Sequence, residues 1–158
     1  RLPARVVRAY ESMDTPVERA DLFRYLVVYL EGGVYADLDT AAAAPLSGWL
    51  RPDDALVAGW EADSAGVDAM LARGDVRRRQ ALQWAFAARA GHPALLLMAE
   101  RIADAVLGDG SARALGADSD SSTLERTGPG LFTDALRHAA RRAAAGDEKW
   151  RVRFLPPR

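Results

Sequence analysis

Apolar residues recur at helical spacing over Ala4–Met13, where Val6, Val7, Tyr10 and Met13 share a face. A second helix is predicted to start at Thr15-Pro16-Val17-Glu18, which reads as a capping box with proline at the first helical position. Leu22, Phe23, Leu26, Val27 and Leu30 form its expected apolar stripe. Gly32 or Gly33 is expected to close it as a left-handed cap. A short strand follows in EGGVYADLDT, Glu31–Thr40. Strand alternation would place Tyr35, Asp37 and Asp39 on one face and Val34, Ala36 and Leu38 on the other.

Further along, Pro45–Leu50 reads as a short helix and Ala55–Trp60 as a buried strand. Glu61–Asp75 is polar and glycine-containing, so partly loop. Arg77–Ala90 is compatible with helix or strand. Pro93–Leu107 is an amphipathic helix with His92 near its N-cap. Gly108–Arg126, rich in Gly, Ser and Asp, reads as a loop; Gly128–Ala145 opens with GPG and turns helical. Trp150–Leu155 is a predicted strand before Pro156-Pro157. Alternating strands and helices with no internal repeat make the fold class α/β.

The 158 residues suit one domain, 1–158, with an ordinary 49% apolar and 27% charged content. A net charge of −1 argues against a dedicated nucleic-acid binder. Lys149 is the one lysine among 21 basic residues, a bias read as coding composition. There is no cysteine, which excludes disulfides and thiolate zinc sites. No apolar run approaches the ~20 residues that span a bilayer. The chain starts at Arg1 without an initiator methionine, so it is expected to be a piece of something longer, with any anchor or targeting signal outside it.

The chemistry concentrates around the first strand. Asp37 and Asp39 offer hard oxygen ligands that suit Mn²⁺ or Mg²⁺, ions that take one or two carboxylates plus substrate phosphates. Such a metal would neutralise charge developing on a diphosphate leaving group. Read alone, D-x-D also fits an ordinary solvated turn. Asp21 and Arg24 are three apart and so share a helical face. Read alone, they are a surface ion pair worth ~0–1 kcal/mol, yet they sit among Ala20, Leu22, Phe23, Tyr25 and Leu26.

Taken as a block, RADLFRYLVVYLEGGVYADLDT, Arg19–Thr40, resembles glycosyltransferase family 32, the sugar transferases that carry a DXD motif. The resemblance is strongest to the fungal initiation-type α-1,6-mannosyltransferases. It extends to bacterial capsule sugar transferases and, more distantly, to the clostridial glucosylating toxins. LVAGWEAD (Leu56–Asp63), QWAFAARAGHP (Gln83–Pro93) and TGPGLFTDAL (Thr127–Leu136) look like later blocks of the same family in order. The resemblance implies a GT-A-type nucleotide-sugar transferase fold whose nucleotide-pocket strands would lie before Arg1. It implies transfer with retention, from GDP-mannose to a glycan acceptor such as an N-glycan core.

Position by position, the resemblance makes Asp39 a metal ligand and Asp37 a contact to donor and metal. Asp21 and Arg24 would hold donor-sugar hydroxyls, Tyr35 would line the donor pocket, and Gly128-Pro129 would shape a nearby loop. Glu61 is the one candidate catalytic helper beside Asp37; Trp60 and Glu61 could face the acceptor. His138 is a candidate for a further metal or phosphate contact, although a lone histidine on a helix is more often structural. His92 is read as a cap neighbour. A fungal-type member is expected in the Golgi lumen, membrane-held through a segment outside this chain; a bacterial member would be cytoplasmic.

Three other readings compete. One is a bacterial-type capsule or lipid sugar transferase that uses another nucleotide sugar. The second is a haloacid-dehalogenase-type phosphatase, supported by DLDT and LGDGSAR (Leu107–Arg113). That pattern wants Thr or Val where Ala41 stands, an acid or amide where Arg113 stands, and a lysine that Lys149 does not supply. The third is a non-catalytic, sugar-binding relative.

Overall fold

A computed structural model describes residues 1–108 and 123–156. Helix α1 (Ala4–Ser12) leads into α2 (Pro16–Glu31) and the short strand β1 (Gly33–Ala36). A 3₁₀ turn at Leu46–Gly48 precedes β2 (Leu56–Asp63), α3 (Val67–Ala72), β3 (Arg79–Ala88) and α4 (Pro93–Leu107). Then come α5 (Thr123–Arg126), α6 (Pro129–Ala144), a 3₁₀ turn at Glu148–Trp150 and β4 (Arg153–Phe154). The four strands form one mixed sheet in the order β1-β3-β2-β4, antiparallel except for the β2–β4 pair. The α/β expectation holds at this level. No helix among the described residues is long and apolar enough to cross a membrane.

Several sequence expectations are corrected. Within Arg77–Ala90, which its pattern leaves open between helix and strand, β3 takes Arg79–Ala88, because it pairs on both sides and so satisfies its backbone groups. Glu61, assigned to the start of a loop, lies inside β2. The expected loop at 61–75 contains α3, and the one at 108–126 ends in α5; residues 109–122, with most of LGDGSAR, lie outside the described residues. The last predicted strand shrinks to Arg153–Phe154, since Glu148–Trp150 is a 3₁₀ turn.

Helix α2 departs most from its predicted face. Phe23 and Leu30 are 50% and 44% exposed, whereas Glu18, Asp21, Arg24 and Tyr25 are buried. Thr15 is the N-cap residue and Pro16 follows at the first helical position, but the Thr15 side chain makes no cap bond. Glu18 does not reach back to it either. It accepts from Arg126 Nε at 3.0 Å and from Thr123 Oγ1 at 3.3 Å, tying α2 to α5. A charge-assisted bond in a buried setting outweighs a solvent-facing cap.

Gly32 ends α2 with φ 71° and ψ −170°, so it has positive φ without being the left-handed cap expected. A Cβ there would stand 2.8 Å from the Ala90 backbone nitrogen. Only glycine fits both the angle and the space, which lets β1 turn directly onto β3. The register then sets Tyr35 opposite Phe86 and Ala36 opposite Ala85. Beneath this point an aromatic group joins three elements. Tyr25 of α2 stacks on Phe132 of α6 at 5.9 Å, and Phe86 of β3 lies 5.2 Å from Phe132. Leu22, Leu95, Met98, Ile102 and Leu136 complete the helix-side core.

Candidate functional site

Strand β1 stops at Ala36, and Asp37–Thr40 is a turn closed by Thr40 N–H donating to the Asp37 carbonyl at 3.1 Å. The predicted alternation therefore does not carry through to Asp39, because a turn breaks the two-residue period. Asp37 remains anchored to the sheet, its N–H donating to the Trp84 carbonyl at 2.9 Å. Tyr35 hydroxyl donates to Asp37 Oδ1 at 2.7 Å, so these two do meet as expected. Leu38 and Asp39 are exposed at the tip.

The helix before the turn supplies the countercharge. Arg24 Nη2 lies 2.9 Å from Asp21 Oδ1, and Arg24 Nη1 lies 3.5 Å from Asp37 Oδ1. The guanidinium carbon also sits 5.1 Å from the Tyr35 ring centroid, a cation–π contact. Asp21 and Arg24 are only 5% and 8% exposed, so the pair is not the surface pair that its spacing alone allows. Removing one partner of such a pair typically costs about 3–5 kcal/mol, because the other charge stays buried. Arg24 Nε is buried without a partner, leaving a donor the protein itself does not use.

Two residues from distant blocks complete the site. Gln83 Nε2 donates to Asp21 Oδ1 at 3.0 Å and to the Tyr25 hydroxyl at 2.9 Å. Thr127 Oγ1 donates to Asp21 Oδ2 at 2.7 Å, and Tyr25 hydroxyl donates to the Thr127 carbonyl at 2.9 Å. Burial pushes the Asp21 carboxyl up from its ordinary value; the Thr127 hydroxyl, Arg24 and Gln83 act against that rise. Burial, with donation to Asp37, pushes the Tyr35 phenol up to about 12. Burial also pushes the Tyr25 phenol well above its ordinary value. Both phenols are therefore donors at neutral pH.

Gly128 and Pro129 open α6 next to this network. A Cβ on Gly128 would come within 2.8 Å of Leu124 Cα, so its glycine allows α5 and α6 to close on each other and aim Thr127 at Asp21. Glu61 stands apart from the charged group. Its two carboxylate oxygens accept from Gln80 Nε2 at 2.8 Å and Trp84 Nε1 at 3.0 Å. Trp60 stacks on Phe154 at 4.4 Å and is covered by Arg79. His92, expected as a cap neighbour, is itself the N-cap of α4, its Nδ1 accepting from Ala94 N–H at 3.3 Å. His138 packs edge-on against Trp150 and, by burial and neighbouring arginines, titrates below its ordinary value, which suits a structural role.

No group of three or more Asp, Glu, His or Cys among the described residues is placed to hold a metal. The donor chemistry of Asp37 and Asp39 fits a hard divalent ion. Asp37 Oδ1 is engaged by Tyr35 and Arg24, and Asp39 faces solvent, so both acids keep oxygens for an ion at the turn.

Residues 3–57 match the glycosyltransferase sugar-binding region containing the DXD motif. The chain is 36% identical over 140 residues to the initiation-specific alpha-1,6-mannosyltransferase of Schizosaccharomyces pombe, an alignment covering 84% of this chain and 34% of that protein. It is 33% identical over 144 residues to the protein of the same name from Candida albicans, covering 83% of this chain and 37% of that one. This chain belongs to the DXD-containing glycosyltransferases. It spans about a third of the length of the curated relatives it matches. Within this family member, the four blocks quoted above come together at the sheet: the first supplies Asp21, Arg24, Tyr35 and Asp37, and the last two add Gln83 and Thr127. Gln83, Thr127 and Tyr25 were not singled out from sequence as site residues. Their positions inside the later blocks were the available signal.

Proposed function

We propose that this chain is the catalytic core of a retaining hexosyltransferase that takes mannose from GDP-mannose and attaches it to a glycan acceptor such as an N-glycan core. The observation that carries this reading is the Asp21–Arg24–Asp37–Tyr35 group, buried on its helix side and open at the D-x-D turn. The names of the relatives favour mannose and an α-1,6 linkage.

In this reading Asp37 and Asp39 hold Mn²⁺ or Mg²⁺ against the donor diphosphate; the ion supplies the positive charge that makes diphosphate a better leaving group. Arg24 brings the positive charge of its guanidinium to the donor side of the turn. Asp21, held rigid by three donors, accepts from a donor-sugar hydroxyl. Tyr35 keeps Asp37 oriented as a neutral donor at physiological pH. Gly128-Pro129 fix the α6 start that presents Thr127. Glu61 is a weak candidate for proton transfer, since both its oxygens are already hydrogen-bonded. A GT-A arrangement accommodates the α/β sheet and the turn. A fungal-type member would act in the Golgi lumen, a bacterial one in the cytoplasm.

The test is calorimetric titration with GDP-mannose and UDP-glucose, each with and without Mn²⁺. Metal-dependent binding that favours GDP-mannose and is lost in Asp39→Ala is expected. Preference for another nucleotide sugar would move the reading to a capsule-type transferase. Absence of any metal-dependent nucleotide binding would reject the transferase reading.

A further inference from the structure

Trp84 is a large aromatic residue within β3, yet it is 38% exposed. A strand residue of this kind usually gains by burial, so an exposed ring needs a reason. The ring is also held in place. Its indole Nε1 donates to Glu61 Oε1 at 3.0 Å, and Glu61 Oε2 accepts from Gln80 Nε2 at 2.8 Å. Gln80 is 4% exposed, and its own oxygen accepts from Val76 N–H at 3.0 Å. A polar relay thus runs from a buried amide through a carboxylate to an exposed ring. Such a relay spends three hydrogen-bonding groups on the orientation of a side chain that contributes little to the core.

Its location is specific as well. The Trp84 carbonyl accepts the Asp37 N–H, so this residue is locked in register with the start of the D-x-D turn. The preceding residue, Gln83, reaches Asp21 and Tyr25 on the helix side. The β2–β3 register shifts in this stretch, between the Ala58–Phe86 and Trp60–Ala81 pairs, and Trp84 is left exposed while Gln83 and Phe86 are buried. The donor-binding group and Trp84 therefore both adjoin the turn.

We propose that Trp84, oriented by Glu61, is the platform on which a hexopyranose ring of the acceptor glycan stacks. The inference rests on the transferase reading for the identity of that sugar as an acceptor. The chemistry is complementary. One face of a pyranose is a set of C–H bonds with weakly positive hydrogens, and the indole face carries the negative part of the ring quadrupole. Carbohydrate hydroxyls at the ring edge meet the part-exposed Glu61 carboxylate. Glu61 is then a positioning residue and not the proton-transfer group its sequence position suggests.

The test uses the protein without donor, titrated with methyl α-mannoside and with an α-linked mannotriose while tryptophan emission is followed. A saturable emission change with mannotriose is expected, and Trp84→Ala weakens binding by roughly tenfold or more, the scale of losing one aromatic anchor. Glu61→Ala weakens it several-fold, and Glu61→Gln restores part of it, because an amide oxygen still accepts from the indole while its NH2 group opposes that of Gln80. A catalytic carboxylate would not be rescued by glutamine. Sugar affinity equal in wild type and Trp84→Ala, or no sugar-dependent change in wild type, overturns the proposal. Calorimetry with Mn²⁺ and GDP-mannose separates the two readings: nucleotide binding that persists in Trp84→Ala shows the donor side intact. Its absence in wild type strikes the transferase reading and leaves the platform judged by the sugar titration alone.

Discussion

Thr127→Val removes one hydroxyl from a fully buried position and keeps the side-chain shape. That hydroxyl donates to Asp21 Oδ2 at 2.7 Å across 106 residues of chain. A hydrogen bond to a charged group contributes about 1.5–3 kcal/mol. For a domain of this size each kcal/mol moves the melting temperature by about 2–4 °C, so a drop of roughly 3–12 °C is expected at neutral pH. The pH dependence makes the prediction specific. The folded-state pKa of Asp21 is raised above 3.8, chiefly by burial, with Thr127 opposing the rise. Stability linked to a raised carboxyl pKa is present below the unfolded value and is lost as pH rises through the folded value. Loss of the Thr127 donor raises that folded value further. The deficit of Thr127→Val should therefore grow from about pH 4 toward neutrality. Urea denaturation at a series of pH values measures it, and Thr127→Ser should restore most of the loss. A deficit that is flat with pH would refute the reasoning, as would one below about 0.5 kcal/mol at neutral pH, the level of an ordinary surface change.

Other consequences follow from single positions. Gly32→Ala combines a positive φ with a Cβ placed 2.8 Å from Ala90 N, and chemical denaturation should show a loss of about 1–3 kcal/mol or more. Phe86→Ala opens a cavity at a fully buried ring joining Tyr35 and Phe132 and should cost about 3–5 kcal/mol. Phe23→Ser, at a half-exposed ring, should stay within about 0.5 kcal/mol, which checks the observed face of α2. Tyr35 should ionise only at about 12. Its raised pKa contributes stability that is present below pH 10 and lost as pH climbs toward 12. Ultraviolet phenolate titration against Tyr35→Phe would read that step, and ionisation near 10 would contradict the burial and the Asp37 bond.

Much of the local structure was legible. Helical spacing, Pro16 and the paired glycines located α2 and the turn into β1, and the block as a whole pointed to the family. The helix face was misread for an instructive reason. Apolar periodicity favours Phe23 and Leu30 over Asp21 and Arg24, but the site needs charges indoors, so the buried face follows the chemistry. Glu18 looked like a cap because a local rule was available, while its actual partners are more than a hundred residues away. Gln83 and Thr127 open two of the later blocks, but nothing local ties them to Asp21; only the folded chain brings them there. The two-residue period correctly joined Tyr35 to Asp37 and failed at Asp39, where the strand had already ended. Alanine-rich β3 gave no clear period, and pairing on both edges decided it.

The central claim is that this group of residues transfers a hexose from a nucleotide donor. The most direct measurement incubates the protein with GDP-mannose, Mn²⁺ and a mannose-terminated oligosaccharide and reads the oligosaccharide by mass spectrometry. The account predicts a gain of one hexose that disappears on chelation of the metal and in Asp37→Asn. An oligosaccharide left unchanged under conditions where the donor is bound would contradict it.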